Sequence, residues 1–292
     1  MTFSKALNET LLNSNLDSKG IESLIRTAIA EDLAGAVDVT SVATIPENQS
    51  AVAEFRNRKP GVIAGIPIVC AVLEICGITD YEVKKSDGDC VSANSILLTA
   101  RGNTRVLLLA ERSALNFLGH LSGIATLTKS WVDEVADTNV GIRDTRKTTP
   151  GLRGLEKYAV RMGGGINHRF SLSDAALIKD NHVLAAGGVA QAFNLVKEKF
   201  PNLPLEVEVD SLEQLREVVE AGADLVLLDN MSIEECRAAV EIVSGRAKLE
   251  ASGGLILSNA HAYAKTGVDY LAVGALTHSA PVLDIGLDLR ME

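Results

Sequence analysis

The chain has 292 residues, of which 47% are hydrophobic, 23% charged and only 4% aromatic. This balance indicates a globular protein and excludes a disordered, collagen-like or disulfide-scaffold protein. The net charge of −10 argues against a nucleic acid or an anionic membrane surface as the main partner. We expect neither a signal peptide nor a membrane span of about 18 apolar residues. Four cysteines without CxxC spacing favour a reducing, cytoplasmic location.

The first part of the chain has the pattern of an α+β domain. Alternating polar and apolar residues mark its first strand, and a proline starts its first clear helix. A long helix is predicted over 105–136, with an interruption near Gly119 to Gly123, and we place the domain boundary there, between residues 122 and 123. The other predicted elements are strands at 51–58, 61–65, 81–84 and 96–100 and a helix at 67–76.

In the rest of the chain, short apolar runs alternate with helical patterns. Capping boxes begin at Ser211 and Ser232, and Gly222, Gly245 and Gly267 stand where helices would end. This repetition is typical of parallel strands joined by right-handed crossovers. It predicts a small or incomplete α/β barrel or, failing that, an open doubly wound sheet. The six predicted strands are 140–142, 176–178, 205–209, 225–228, 248–251 and 270–273.

One segment of this acidic chain is basic. From Arg143 to His182 there are eight Lys or Arg residues against four acids, so the segment carries +4 and the remainder −14. This inversion favours a small, highly anionic ligand, and a solvated basic helix face is the alternative. Of the five histidines, His120 and His261 are interpreted as structural, whereas His168 and His278 neighbour candidate anion ligands.

Polar groups follow the predicted strands at the ends where parallel α/β folds gather reactive side chains. Cations follow the first two strands, acids lie on the middle two, and glycine-rich turns end the last two. Such turns suit a phosphate, although an ordinary tight turn is the alternative for Gly253 and Gly254. Glu206, Glu208 and Asp210 alternate and would share one strand face. Mg²⁺ or a sugar diol would relieve their repulsion, and ion pairs with Lys or Arg are the alternative.

A series of longer motifs runs along nearly the whole chain. These motifs are ERSALN at 111–116, GHLSGIAT at 119–126, DTRKTTPGLR at 144–153, GGGINHR at 163–169, LIKDNH at 177–182, EVEVD at 206–210, LDN at 228–230, LEASGG at 249–254 and VGALTH at 273–278. Together, and in this order, they closely resemble the quinolinate phosphoribosyltransferase family, a group of type II phosphoribosyltransferases.

The resemblance implies an activity and a fold. The activity is decarboxylating transfer of phosphoribosyl from phosphoribosyl pyrophosphate to quinolinate, which gives nicotinate mononucleotide, CO₂ and pyrophosphate in de novo NAD synthesis and requires Mg²⁺. The fold is an N-terminal α/β sandwich domain over 1–122, onto which residues 283–292 dock back, and a C-terminal incomplete, six-stranded α/β barrel over 123–282. The implied assembly is a homodimer with shared active sites, with a hexamer as the alternative.

The same resemblance assigns roles to individual residues. The two quinolinate carboxylates would be held by Arg146, His168, Arg169 and Lys179, with Arg112 donated across the dimer interface. Arginine suits this task because its planar fork binds a carboxylate through two parallel hydrogen bonds.

The remaining roles concern the sugar and its phosphates. Lys147 would face the pyrophosphate, next to Thr145, while Glu208 and Asp229 would bind the ribose hydroxyls and Mg²⁺, partly through water and substrate. Lys147, Glu208 and Asp229 are the expected catalytic residues. The 5′-phosphate is assigned to Ser252, Gly253, Gly254, Val273, Gly274, Ala275 and His278.

Three rival functions remain open at this point. A sister phosphoribosyltransferase could act on nicotinate or another pyridine, but the number of cations between Arg146 and Lys179 favours a ligand with two carboxylates. Lys179 could instead form a Schiff base in an aldolase, although arginine-rich surroundings serve anions better than a carbonyl. A non-catalytic sensor of a phosphorylated metabolite is the third.

Overall fold

The structure is a computed structural model that describes residues 3–291. The chain divides into two compact units. The first runs up to Leu127 and also includes Gly154–Gly164 and the chain from Ala280 onward. The second comprises Thr128–Arg153 and Gly165–Ser279. The domain boundary expected between residues 122 and 123 therefore lies inside a helix that continues to Glu134.

Helices and strands alternate along most of the chain. The helices are α1 (Lys5–Asn13), α2 (Ser18–Leu33), α3 (Val39–Thr44), α4 (Ile66–Ile75), α5 (Thr104–Glu134), α6 (Arg153–Met162), α7 (Asp180–Ala186), α8 (Val189–Lys199), α9 (Leu212–Glu220), α10 (Ile233–Val243), α11 (Leu257–Ala264) and α12 (Ala275–His278). The strands are β1 (Ser50–Asn57), β2 (Gly61–Val62), β3 (Asp80–Val83), β4 (Cys90–Val91), β5 (Ile96–Asn103), β6 (Gly141–Arg143), β7 (Ala176–Ile178), β8 (Leu205–Val209), β9 (Leu225–Asp229), β10 (Lys248–Ser252), β11 (Tyr270–Ala272) and β12 (Ile285–Met291). Within the described residues, no helix is long and apolar enough to cross a bilayer.

The first unit contains an antiparallel sheet in the order β12-β1-β5-β3. Ala51, Ala53 and Phe55 alternate along β1 and are fully buried, because every second side chain of a strand points to the same face. The last strand pairs with β1 from Ala51 opposite Met291 to Asn57 opposite Ile285. The end of the chain is thus an integral part of the first unit.

Helix α5 runs without interruption, so the predicted break near Gly119 to Gly123 is wrong. Both glycines face the segment Pro281–Leu283 of the same unit, and the Leu283 amide donates to the Gly119 carbonyl at 3.0 Å. A Cβ at Gly123 would lie 2.1 Å from the Pro281 carbonyl oxygen. These glycines therefore permit close backbone contact within a continuous helix, at the entropic cost that glycine carries in helices.

We predict that Gly123→Ala destabilises the first unit by about 1–3 kcal/mol, because an added methyl must displace backbone rather than a flexible side chain. Gly154→Ala is the matched control, since no atom lies within 4 Å of its added Cβ, and we expect it to be neutral or to stabilise α6 by up to about 1 kcal/mol. Urea unfolding of both variants measures the difference. Equal stabilities of the two variants would contradict this interpretation.

The second unit contains six parallel strands in the order β6-β11-β10-β9-β8-β7. All six predicted strands are present, with ends within two residues of those expected. Strands β6 and β7, the first two of this sheet in chain order, lie at its opposite edges. Within the described residues, no hydrogen-bonded ladder joins them. The predicted incomplete barrel is confirmed, and the carboxyl ends of its strands point in one direction.

Of the two capping boxes predicted in this unit, one forms completely and the other only in part. Ser232 and Glu235 form the complete capping box at α10, with reciprocal hydrogen bonds of 3.2 and 2.8 Å. Ser211 accepts from the Gln214 amide at 3.4 Å, but the Gln214 side chain accepts from Asp210 instead. These contacts satisfy amides that a first helical turn leaves unpaired.

Candidate active site

The carboxyl ends of the parallel strands surround a cavity of about 410 Å³ in the second unit. Strand polarity brings these side chains together although they are spread over more than a hundred residues of sequence. Nine of the residues assigned from the sequence line it: Thr145, Arg146, Lys147, His168, Arg169, Lys179, Glu208, Asp229 and Ser252.

Four cations form one wall of this cavity: Arg146, Lys147, Arg169 and Lys179. The pKa of Arg169 is lowered by burial and then by the positive charge of Arg146. The Nε atoms of both arginines are buried, and they have no hydrogen-bond partner within the described residues. Buried donors without a partner are costly, and a ligand would reach these two only after the side chains move; the four positive charges of this wall suit an anionic ligand.

The loop that carries Arg169 is held by its own hydrogen bonds. Arg169 Nη1 donates to the Ala175 carbonyl at 2.9 Å. The Asp174 carboxylate accepts from the Phe170 and Ser171 amides at 2.6 and 2.9 Å, which lowers the pKa of Asp174 despite its partial burial. The guanidinium is therefore oriented by the folded loop before any ligand binds.

Four carboxylates line the same cavity: Asp180, Glu208, Asp229 and Glu250. Lys179 Nζ lies 2.9 Å from Glu208 Oε2, and Asp229 Oδ2 accepts from the Asn230 side chain at 2.8 Å. Both acids also line a neighbouring cavity of about 330 Å³, next to Asp180 and Asp210. For Glu208, the alternative interpretation of an ion pair with a lysine is thus realised, although the carboxylate still borders both cavities.

The glycine turns at the last two strands are shaped by close contacts. Gly253 has φ +89°, and a Cβ there would lie 2.1 Å from Asn230 Oδ1. A Cβ at Gly274 would lie 3.1 Å from Lys147 Cδ and 3.2 Å from His278 Nε2. The absence of a side chain at Gly274 therefore leaves room for both Lys147 and His278 beside this turn. Gly253, Gly254, Val273, Gly274, Ala275 and His278 do not line the 410 Å³ cavity itself.

The assigned residue Arg112 lies in the first unit, on α5, with 62% of its side chain exposed. Its nearest acid is Glu111, at 3.9 Å. In the same unit His120 Nε2 lies 2.9 Å from the buried Glu156 carboxylate, and in the second unit His261 pairs with Asp137 at 3.1 Å. Both contacts agree with the structural interpretation of these two histidines.

A buried charged cluster adjoins the cavity, which its members His168 and Glu250 also line, and the sequence patterns do not predict this cluster. His168 Nε2 is 2.7 Å from Glu206 Oε2 and 3.7 Å from Glu250 Oε1. Arg143 donates to Glu250 and lies over the Tyr270 ring at 4.7 Å. The signal in the sequence is an acid or arginine in the middle or at the end of a short apolar strand, where an exposed charge is not expected.

Burial and neighbouring charges alter the pKa of the Glu250 carboxyl group. Burial and the neighbouring Glu206 carboxylate raise its pKa to about 8, while Arg143 opposes this shift. An unfolded glutamate has a pKa of about 4.3. Between these values the folded state binds more protons than the unfolded state, so this group makes the protein less stable as the pH rises.

We predict that Glu250→Gln makes the unfolding free energy less dependent on pH between about pH 5.5 and about pH 8, because glutamine cannot lose a proton. Urea unfolding at both pH values measures the slope. Glu235→Gln is the control: the Ser232 amide lowers the pKa of Glu235, so this group stays charged throughout the range and its variant should follow the wild type. A Glu250→Gln slope equal to that of the wild type would contradict the prediction.

An open parallel α/β barrel that gathers cations, acids and glycine turns at the carboxyl ends of its strands defines an enzyme for anionic substrates. Two family models match the chain: "Quinolinate phosphoribosyl transferase, N-terminal domain" over residues 38–122 and the C-terminal domain of the same family over residues 124–288. The chain therefore belongs to the quinolinate phosphoribosyl transferase family.

Relatives and solved structures agree with this assignment. The chain is 50% identical to a Mycobacterium leprae protein named nicotinate-nucleotide pyrophosphorylase [carboxylating] over 282 residues, which cover 94% of this chain and 99% of that protein. A Bacillus subtilis protein, named as a probable enzyme of the same kind, is 40% identical over 93% of this chain and 94% of its own length. The nicotinate-nucleotide pyrophosphorylase structure from Francisella tularensis superposes with a TM-score of 0.91 at 38% identity and covers 94% of this chain and 98% of its own.

Proposed function

We propose that this chain transfers phosphoribosyl from phosphoribosyl pyrophosphate to quinolinate and releases CO₂, giving nicotinate mononucleotide and pyrophosphate. The observation that carries the proposal is the cavity that four cations and four carboxylates line at the carboxyl ends of the parallel strands. The names of relatives support it, including the Nicotiana glauca protein named quinolinate phosphoribosyltransferase [decarboxylating] 2, which is 38% identical over 93% of this chain.

The cationic wall suits the ring substrate, because a pyridine with two adjacent carboxylates needs several donors on one side. Arg146 and Arg169 would each offer a planar fork to a carboxylate. Lys179 would complete this set by exchanging its partner Glu208 for the ligand. His168 also lines the cavity and stays in the proposed set, although its Nε2 lies 2.7 Å from Glu206 Oε2 and its Nδ1 accepts from the Arg169 amide.

The acidic wall suits the activated sugar. Glu208 and Asp229 are the oxygen donors that Mg²⁺ prefers, and each keeps one oxygen outside its hydrogen bond to Lys179 or Asn230, so this donor set fits the ion. A bound Mg²⁺ would supply charge compensation for the pyrophosphate. The turns at Ser252–Gly254 and at 273–275, with His278, would hold the 5′-phosphate through backbone N–H groups.

Catalysis would then rest on electrostatics and positioning. We propose that the bond to pyrophosphate breaks ahead of attack by the pyridine nitrogen, so that the sugar becomes oxocarbenium-like. Lys147 would stabilise the departing pyrophosphate, and Glu208 or Asp229 would offset positive charge on the sugar. Holding the two substrates in register can contribute about 7–11 kcal/mol in well-oriented systems.

Loss of CO₂ follows from this first bond formation. Once the ring nitrogen is quaternary, it stabilises the carbanion left at the adjacent carbon as an ylide, and that carbon then takes up a proton. Cations around the leaving carboxylate stabilise the bound substrate as well as the transition state. Arg146, Arg169 and Lys179 would therefore act mainly in binding and orientation.

The assembly that fits this proposal is a homodimer in which Arg112 of one subunit completes the site of the other, with a hexamer as the alternative. Support comes from the largely exposed Arg112 side chain, whose ion pair with the adjacent Glu111 has a length of 3.9 Å. We further propose a cytoplasmic location for the enzyme.

The proposed activity predicts that CO₂ is released from carboxyl-labelled quinolinate only when both phosphoribosyl pyrophosphate and Mg²⁺ are present. Asp229→Asn should lower kcat at least about 100-fold by weakening transition-state stabilisation. Asp224→Asn is the matched control, because Asp224 is exposed and precedes the same strand at its opposite end. Release of CO₂ without phosphoribosyl pyrophosphate, or none under any of these conditions, would reject the proposal.

The shared site predicts complementation between two inactive variants. Arg112→Ala and Asp229→Asn should each be nearly inactive alone, whereas subunit exchange in an equal mixture should restore roughly a quarter of wild-type activity. Half of the dimers would then be mixed, and each mixed dimer would have one intact site. Activity of the mixture after exchange, compared with unmixed samples, provides the measurement. No recovery despite verified exchange would show that Arg112 does not act across the interface.

A further inference from the structure

The position of Arg169 depends on a hydrogen-bonded chain that begins in the core of the second unit. The Arg169 amide donates to His168 Nδ1 at 2.7 Å, so Nδ1 is an acceptor and the ring proton lies on Nε2. Nε2 in turn lies 2.7 Å from Glu206 Oε2. Both nitrogens of the imidazole are thus engaged within the protein, and the residue is only 7% exposed.

The backbone around His168 is held from a second direction. Asp144, at the end of β6, accepts from the His168 amide at 2.8 Å and from the Asn167 side chain at 2.6 Å. These bonds fix the backbone of residues 167 and 168. The ring contacts with Glu206 then decide how the imidazole is rotated and where the Arg169 amide lies.

Among the described residues, Glu208 lines the cavity but Glu206 does not. Glu206 is 3% exposed on β8. Arg143 hydrogen bonds to Glu250 and lies 4.0 Å from Glu206 Oε1, and the other oxygen of Glu206 contacts His168. Any effect of Glu206 on a ligand must therefore pass through its neighbours.

We propose that Glu206 is a positioning residue for the ring substrate: as a hydrogen-bond acceptor for His168 Nε2, it sets the imidazole that holds Arg169 in place. The inference rests on the proposed function, because it assigns Arg169 to a substrate carboxylate. It attributes to Glu206 a task different from that of Glu208, two residues further along the same strand.

Two conservative variants separate hydrogen bonding from charge. Glu206→Gln removes the charge but keeps an acceptor oxygen at the same distance, so KM for quinolinate should stay within about twofold of wild type. Glu206→Asp keeps the charge but withdraws the acceptor by one methylene, which breaks the 2.7 Å contact with Nε2, and KM for quinolinate should rise about tenfold. KM for phosphoribosyl pyrophosphate should not change in either variant. Exposed Glu213 on α9 provides the control Glu213→Gln, with all constants as in wild type.

A double-mutant cycle tests the route of the effect. In a His168→Ala background, Glu206→Asp should add no further increase in KM, since the ring through which it acts is gone. Additive effects would overturn the proposal, as would a Glu206→Gln variant as impaired as Glu206→Asp or an equal rise in both Michaelis constants.

Wild-type turnover of quinolinate separates failure of the proposed function from failure of this inference. Absence of turnover rejects the proposed function, whereas normal turnover with unchanged KM in Glu206→Asp rejects only this inference. Melting temperatures of all variants identify any that are unfolded. If Glu206→Asp is unfolded, Glu206→Met takes its place, because methionine has a similar volume to glutamate and no strong acceptor.

Discussion

The second unit depends on balancing like charges that its topology forces together. Because the strands are parallel, the cations that follow β6 and β7 lie at the same carboxyl end of the sheet. Two unit charges about 4 Å apart interact with about 4 kcal/mol at an effective dielectric constant of 20. Carboxylates at the cavity and in the protein interior reduce that repulsion. Lys179 pairs with Glu208 on the cavity side, whereas Arg143 pairs with Glu250 in the interior.

This balance also explains how the site can accept anions. The buried Nε donors of Arg146 and Arg169 lack partners within the described chain, and Lys179 is held by a single carboxylate that a ligand could replace. Rearrangement is therefore confined to a few side chains, while the backbone around them is fixed by Asp144 and Asp174. Preorganised donors of this kind need little reordering when the ligand binds.

Glycine serves different purposes in the two units. In the first unit, Gly119 and Gly123 allow the chain at Pro281–Leu283 to contact a continuous helix. In the second unit, Gly253 takes a left-handed conformation beside Asn230. Local sequence predicts a helix break at these glycines, because the segment that packs against them lies about 160 residues away in the chain and such a contact leaves no local pattern.

The sequence by itself determined the repeating strand and helix pattern, the six parallel strands and, through its motifs, the family and most residues that line the cavity. The strands and helices follow from local periodicity and helix caps, which depend on neighbouring residues, whereas the family and the cavity residues follow from the resemblance of the motifs. Only the tertiary structure decided which charges are paired and which are buried. Glu206 and Glu208 look alike in the sequence, yet one lies in the core against His168 and the other borders the cavity beside Lys179. Their difference arises from packing between strands that are distant in the chain, because burial and the nearest counter-charge, rather than residue type, set the energy of an ionised group.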